Sequence, residues 1–257
     1  MTLERKEPKE QMILLGNRME IPANTQAILW DMDGTLIDSL GLDLVVVNDL
    51  LKQHFADGVE FERGYIQSIF DLHVPQFWQT ILDKVVTDFG AKDAKEKYEE
   101  ILASYNSLRQ NYRFELCDGV REILDDAKNR GLSQAVVSNN PVAHIEEILA
   151  NVGILSEFRF IVGNDIEEAQ KLLRKKPYPD PYIYAAKLVG FTPSKCAAVE
   201  DAINGVESAK SAGCFTIGVA TGGATWEQLI RLGDKIDRVY SSFSLPSEFQ
   251  FPPASFA

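Results

Sequence analysis

Short apolar runs alternate with amphipathic segments over most of this chain, and this alternation constrains the fold more than any other feature. The runs lie at 27–30, 135–137, 158–162, 197–199, 215–219 and 236–240. Segments with apolar residues at helical spacing separate the later runs, at 119–130, 142–152, a stretch ending at 189, 204–212 and 225–232. Strands that alternate with helices predict a doubly wound α/β fold with a parallel sheet and right-handed crossovers.

The segment 40–113 follows a different pattern. Four sets of apolar residues recur there at helical spacing, and breaks fall at Gly58, Pro75 and Gly90. Because no stretch of it reads as a convincing strand, we predict an inserted, all-helical domain, here called the helical insert. The predicted division is an N-terminal arm at 1–22, a core at 23–39 and 114–257, and the helical insert at 40–113.

Composition argues against several classes of partner and site. The 257 residues carry a formal net charge of −12, which disfavours nucleic acid and anionic membranes as partners. No apolar run approaches the length of a membrane span, and no signal-peptide pattern follows the charged start. Cys117, Cys196 and Cys214 are widely spaced and form no metal-like cluster. Cys196 and Cys214 fall in apolar runs, which favours buried thiols over disulfide partners. We therefore expect a cytoplasmic protein, and the sequence leaves its oligomeric state open.

Polar residues collect where the predicted strands end. Asp31 and Asp33 follow the first run, and Glu200 with Asp201 follows the run at 197–199. Because the carboxyl ends of parallel strands point the same way, these side chains are expected to meet in one crevice. Neighbouring carboxylates repel each other unless a cation or a shared proton compensates, and Mg²⁺ suits carboxylate and phosphate oxygens. The pattern therefore predicts Mg²⁺ as cofactor and favours phosphoryl transfer.

Four motifs carry a resemblance to a known family. They are Asp-Met-Asp-Gly-Thr-Leu-Ile-Asp-Ser from Asp31, the pair Ser138 and Asn139, Lys176 in Lys-Pro-Tyr-Pro-Asp-Pro, and Glu-Asp-Ala-Ile-Asn-Gly from Glu200. In this order they resemble the motifs of the haloacid-dehalogenase-like (HAD) phosphohydrolases. The helical insert is similar to the cap of the subgroup that contains phosphoglycolate phosphatase and β-phosphoglucomutase. The resemblance implies a Rossmann-like catalytic core, a helical cap domain, and a phosphatase acting on a small phosphorylated metabolite.

The resemblance also implies roles for the charged residues. Asp31 would be the nucleophile that forms an aspartyl-phosphate, and Asp33 would be the general acid and then the general base. Lys176 would pair with the nucleophile and with the charge on the transferred group. The Asp31 side chain, the Asp33 backbone carbonyl, Asp201 and Glu200 would hold Mg²⁺.

The residues expected to bind the phosphoryl group are short and polar. Ser138 and Asn139 would hydrogen-bond its oxygens, and Gly34 and Thr35 of the first motif are assigned to the substrate site with them. Lys175 is the closest alternative to Lys176, because both lie in a basic stretch.

Several alternatives remain open. Asp165 could support a metal site or cap a helix, whereas Gly222-Gly223 reads better as a turn than as a phosphate cradle. Mutase members of the subgroup carry a histidine about a dozen residues after the nucleophile, where this chain has Leu42-Asp43-Leu44. Haloacid dehalogenases lack the second aspartate, so Asp33 argues against that reaction. A phosphosugar mutase and a non-catalytic binding or regulatory protein on the same fold are the alternatives to a phosphatase.

Overall fold

The computed structural model describes residues 19–243, except for 56–57, 71, 73, 112 and 169–170. The predicted N-terminal arm is therefore described only from Met19, and the tail beyond Phe243 lies outside the described residues. None of the helices in the described ranges is both long enough and apolar enough to cross a membrane.

A parallel β-sheet forms the centre of the fold. The strands are Ala27–Trp30 (β1), Ser133–Val137 (β2), Phe160–Val162 (β3), Glu167–Glu168 (β4), Lys171–Leu172 (β5), Cys196–Glu200 (β6), Phe215–Val219 (β7) and Arg238–Tyr240 (β8). Six of them pair in parallel in the order β3-β2-β1-β6-β7-β8, while β4 and β5 form a separate antiparallel pair. The central strand β1 is fully buried, which explains its continuous apolar run.

Helices cover both faces of this sheet. Those that follow the helical insert are Val120–Asn129 (α5), Val142–Asn151 (α6), Asp180–Val189 (α7), Ile203–Ala212 (α8) and Trp226–Ile230 (α9). Ile28 and Trp30 of β1 pack in one apolar cluster with α5 and α6, whereas Leu29 packs in another with α7. Successive residues of β1 therefore serve opposite faces, as the pleat requires, and the predicted doubly wound α/β fold is confirmed.

A few boundaries differ from the sequence-based expectation. The strand predicted at 158–162 begins only at Phe160, because a 3₁₀ turn at Leu155–Glu157 precedes it. The helix predicted at 225–232 is shorter, because the Thr225 hydroxyl and the Gln228 side chain form a capping box at its start and the helix ends at Ile230. The β4–β5 pair was not predicted, since two-residue strands leave no periodic signal.

The helical insert contains Ser39–His54 (α1), Arg63–Ile69 (α2), Val74–Phe89 (α3) and Tyr98–Asn111 (α4). No strand occurs among the described residues of 40–113. These helices share an apolar cluster of their own, in which Leu50, Trp78 and Ile101 are fully buried. The exact division of the chain into an arm, a core and an insert stays a prediction.

Candidate active site

A cavity of about 130 Å³ opens at the carboxyl edge of the sheet. Its position follows from the topology, because β1, β2 and β6 are neighbours and parallel, so Asp31, Ser138 and Asp201 follow strand ends on one edge. The cavity is lined by Asp31, Asp33, Phe70, Ser138, Asn139, Asn140, Lys176, Glu200, Asp201, Ala202 and Asn204. The structure thus brings together seven of the nine residues assigned to the site from the sequence, and Gly34 and Thr35 are the two outside this lining.

Lys176 lies at the centre of the charged residues. Its Nζ atom donates to Asp31 Oδ1 at 2.6 Å, to Glu200 Oε1 at 2.6 Å and to the Val137 carbonyl at 2.8 Å. Burial alone would lower the pKa of Lys176, but the carboxylates of Asp31 and Glu200 raise it above its usual value. The ammonium group therefore stays charged beside Asp31. Lys175, the alternative, is exposed.

The two carboxylates that share Lys176 are buried. Burial raises the pKa of Asp31 above its usual value, and Lys176 opposes this rise. Burial likewise raises the pKa of Glu200 to about 7. The hydroxyl of Tyr182 donates to Glu200 Oε1, and burial together with the Glu200 charge raises the pKa of Tyr182 well above its usual value. Tyr182 therefore remains a protonated donor that holds Glu200 against Lys176.

The end of β2 contacts both the first and the third motif. Asn140 Nδ2 donates to Asp33 Oδ2 at 2.6 Å, and Asn140 N donates to Ser138 Oγ at 3.1 Å. Asn139 Oδ1 accepts from the backbone N–H of Lys176 at 3.2 Å. The loop after β2 therefore orients Asp33 and the start of the Lys176 segment. Neither Asn140 nor Tyr182 was singled out from the sequence.

Asp201 is held from several directions. The Thr35 hydroxyl donates to Asp201 Oδ1 at 3.3 Å, and the backbone N–H of Gly223 donates to Oδ2 at 2.6 Å. A Cβ atom at Gly34 or Gly222 would lie only 2.2 Å or 2.0 Å from Oδ2, so both positions need glycine. The structure therefore gives Gly34 and Thr35 contacts with Asp201, and their assignment to substrate binding stays a prediction.

The donor set fits a hard divalent cation. Carboxylate oxygens of Asp31, Glu200 and Asp201 lie within 4.8 Å of one another, and all three residues are buried. Lys176 contributes one positive charge to this group of three carboxylates. Further positive charge would relieve the repulsion and lower the raised pKa of Asp31. Mg²⁺ prefers such oxygen ligands, so the residues present fit the predicted cofactor.

Helix α2 of the helical insert contacts the core beside this cavity. Arg63 Nη2 donates to Asp38 Oδ1 and to the Thr221 carbonyl, each at 3.2 Å. Gln67 Nε2 donates to the Gly222 carbonyl at 2.7 Å. Phe70, directly after α2, lines the cavity. The helical insert therefore closes one side of the site.

Asp165 lies at a helix start rather than in the lining of the cavity. Its Oδ1 atom accepts from the backbone N–H of Val142, the first residue of α6, at 2.9 Å. Of the two roles left open by the sequence, this contact supports helix capping.

Comparison with known proteins agrees with the fold and identifies the family. Residues 25–213 match the model of the haloacid dehalogenase-like hydrolases, and this match covers most of the chain. The chain therefore belongs to that family. The predicted enzyme class, a phosphoric monoester hydrolase of this family, is confirmed at this level.

Individual relatives are similar over most of their length. A phosphoglycolate phosphatase from Haemophilus influenzae is 30% identical over 210 residues, which are 77% of this chain and 88% of that protein. A β-phosphoglucomutase from Bacillus subtilis is 26% identical over 207 residues, which are 77% of this chain and 84% of the relative. The crystal structure of a HAD family hydrolase from Deinococcus radiodurans, with bound phosphate and sodium, superposes with a TM-score of 0.69 at 22% identity. That superposition covers 86% of this chain and 93% of the other, and it shows the shared fold.

Proposed function

We propose that this protein is a Mg²⁺-dependent phosphatase that hydrolyses a small phosphorylated metabolite through an aspartyl-phosphate on Asp31. One observation carries the proposal: the Lys176 ammonium lies 2.6 Å from Asp31 Oδ1, at the edge of a cavity that Asp33 also lines. A buried carboxylate beside a permanent cation, with a second carboxylate nearby, suits nucleophilic attack on a phosphate ester.

In the first step the Asp31 carboxylate attacks phosphorus while the bond to the leaving oxygen breaks. Both reactants are anions, so their repulsion must be reduced, and Lys176 provides positive charge for this at hydrogen-bond distance from Asp31. Asp31, Asp201 and Glu200, with the backbone carbonyl of Asp33, would hold Mg²⁺, which supplies further positive charge against the phosphoryl oxygens when bound. Ser138 and Asn139 line the same cavity and are the proposed phosphoryl ligands.

Asp33 handles the protons of both steps. It donates a proton to the leaving oxygen, and it then takes a proton from the water that attacks phosphorus and releases Asp31. The 2.6 Å hydrogen bond from Asn140 Nδ2 to Asp33 Oδ2 fixes one carboxylate oxygen, which leaves Oδ1 for the proton transfers. Asn140 is therefore a positioning residue for Asp33.

The cavity favours a small substrate. Its volume is about 130 Å³. This volume is small beside that of typical ligand pockets, about 300–1,000 Å³. Among the activities of the relatives, phosphoglycolate hydrolysis fits this size better than conversion of a hexose phosphate.

The mutase alternative receives no support from α1. Asp43, in the stretch where mutase members of the subgroup carry a histidine, is buried, and its Oδ1 atom accepts from the Tyr105 hydroxyl at 3.0 Å. Asp43 therefore serves the packing of α1 against α4. The chain lacks the acid–base group that the mutase reaction would need at that position.

The test is a panel of phosphate esters, from two-carbon acids to hexose phosphates, assayed with Mg²⁺ and with excess chelator. Hydrolysis should require Mg²⁺ and should favour the smallest esters. Lys176→Met should lower kcat by about 10²–10³-fold, whereas Lys175→Met, next to it in the chain and exposed, should keep the parent rate. Full activity in chelator, or equal loss in both lysine variants, would contradict the proposal, and no hydrolysis of any ester would favour a binding protein.

A further inference from the structure

A hydrogen-bonded chain joins the helical insert to Asp201. Gln67 Nε2, on α2, donates to the carbonyl of Gly222 at 2.7 Å and to that of Ala224 at 3.2 Å. The N–H of Gly223 donates to Asp201 Oδ2 at 2.6 Å, and the N–H of Ala224 donates to the Asp201 carbonyl at 2.8 Å. Gln67 therefore contacts the same short loop that holds Asp201.

The geometry at Gly222 and Gly223 makes this connection direct. The Gly222 carbonyl and the Gly223 N–H belong to one peptide unit, which is planar and rigid. A donor on the carbonyl therefore fixes the direction of the N–H, and it also polarises the unit so that the N–H becomes a stronger donor. Gln67 acts on one end of this peptide unit and Asp201 lies at the other.

The surroundings leave this peptide unit little freedom to compensate. The Gly222 position lies so close to Asp201 that an added Cβ atom would be 2.0 Å from Oδ2 and 2.6 Å from the Gly34 Cα atom. The Thr221 hydroxyl donates to the Gly34 carbonyl, so the loop is also attached to the turn after Asp33. A rotation of the peptide unit would therefore move Asp201 or lose its hydrogen bond.

We propose that Gln67 is a positioning residue through which docking of the helical insert orients Asp201 for Mg²⁺. The inference deepens the proposed function, because it rests on Asp201 as a metal-holding carboxylate. When α2 is docked, Gln67 holds the peptide unit between Gly222 and Gly223, and its N–H holds Asp201 Oδ2. When α2 moves away, this restraint is lost and Mg²⁺ binds more weakly. Metal affinity is thereby coupled to closure of the site.

Thermodynamic linkage between Mg²⁺ binding and docking of α2 has a second consequence. If docking of α2 strengthens Mg²⁺ binding by some factor, Mg²⁺ must strengthen docking of α2 by the same factor. Mg²⁺ should therefore slow amide hydrogen exchange in α2, although Gln67 itself is not expected to touch the metal. This response gives the inference a readout that does not depend on catalysis.

The first experiment measures Mg²⁺ binding by calorimetry, without substrate, for the parent protein and for Gln67→Glu. This change keeps the shape of the side chain but directs a carboxylate oxygen at the two carbonyls. We expect about tenfold weaker binding, the lower end of the effect for residues that support metal ligands. Gln79→Glu is the matched control, because Gln79 is exposed on α3 of the same insert and the added charge is equal. Its Mg²⁺ affinity should equal that of the parent.

A second variant and a second measurement guard against misfolding. Gln67→Met removes the donor to both carbonyls without adding charge, and it should weaken Mg²⁺ binding by a smaller factor of about threefold, toward the lower end of the range for a lost hydrogen bond. Hydrogen exchange in α2 should respond to Mg²⁺ in the parent and in Gln79→Glu, and it should lose most of that response in Gln67→Glu. Unchanged Mg²⁺ affinity in both Gln67 variants, or equal weakening in Gln79→Glu, would overturn the inference.

The hydrolysis and Mg²⁺-binding experiments together distinguish a wrong phosphatase assignment from a wrong positioning role. If no phosphate ester is hydrolysed but Mg²⁺ binding still depends on Gln67, the positioning role stands and the phosphatase assignment falls. If hydrolysis requires Mg²⁺ but the Gln67 variants change only KM, the phosphatase assignment stands and the positioning role falls.

Discussion

Gly205→Ala adds only a methyl group, but the surroundings of Gly205 predict that it destabilises the protein. Gly205 lies in the first turn of α8, and a Cβ atom there would be 1.9 Å from Glu200 Oε2 and 2.1 Å from its Cδ atom. Contacts shorter than 3.0 Å force a shift, so the Glu200 carboxylate would have to withdraw by roughly 1 Å. Glu200 cannot withdraw freely, because it is buried and its Oε1 atom accepts from Lys176 and Tyr182.

The expected magnitude comes from two opposing contributions. Replacing glycine by alanine within a helix normally stabilises by about 0.5–1 kcal/mol. Disrupting a buried charge pair costs about 3–5 kcal/mol when one partner is removed, and we take the lower end because Glu200 is displaced rather than deleted. The free energy of unfolding should therefore fall by about 2 kcal/mol, which corresponds to a fall in Tm of roughly 4–8 °C for a domain of this size.

Thermal unfolding of Gly205→Ala and Gly64→Ala tests this reasoning. Gly64 also lies in a helix, α2, but an added Cβ atom there would meet nothing within 4 Å, so its variant should be as stable as the parent or slightly more stable. Gly205→Ala should also lose phosphatase activity, since Glu200 helps to place Lys176. A Gly205→Ala protein that unfolds at or above the Tm of the parent would refute the description of a tightly held Glu200.

Three further predictions concern other residues. Asp33→Asn should lower kcat/KM for an alkyl phosphate by about 10²–10⁴-fold and for an aryl phosphate less, because a good leaving group needs little protonation. Equal losses in kcat/KM, which reports the steps up to release of the leaving group and not the later attack of water, would contradict the acid role. Tyr182→Phe should lower kcat about fivefold with little change in KM, because one hydrogen bond contributes about 1 kcal/mol. An unchanged kcat would contradict the role of the Tyr182 hydroxyl in holding Glu200. Asp237→Asn should lower the free energy of unfolding by about 1–2 kcal/mol at pH 7. Burial opposes a low pKa at Asp237, but Lys210 and Thr216 lower it overall, so its contribution is present above about pH 4 and is lost as the pH falls through the lowered pKa. Urea unfolding measured down through that range should show the difference shrink, and a difference independent of pH would contradict the assignment.

Much of the fold was predictable because its signals are local. Strand β1 is buried on both faces, so all of its residues are apolar and form a continuous run in the sequence. Parallel topology then brings strand ends to one edge, so Asp31, Ser138 and Asp201 could be placed in one site before their distances were known.

The contacts of Gln67, Gly223 and Tyr182 leave no local signal in the sequence. Gln67 lies 155 residues from Gly222, and no periodicity records a hydrogen bond between a side chain and a distant carbonyl. The pair Gly222-Gly223 reads as a turn, because a backbone N–H that binds Asp201 looks the same in the sequence as any other. Tyr182 falls at an apolar position of α7, and only its hydroxyl contact with Glu200 distinguishes it from a core residue.

The central claim is that Asp31 forms a covalent bond to the phosphoryl group. The most direct measurement is rapid acid quenching of the protein during turnover of an aryl phosphate, followed by peptide mass spectrometry of the segment that contains Asp31 and Asp33. The account predicts a phosphoryl group on Asp31 in the parent protein and none in Asp31→Asn. A phosphoryl group on Asp33, or turnover by Asp31→Asn at the parent rate with the asparagine intact, would contradict it.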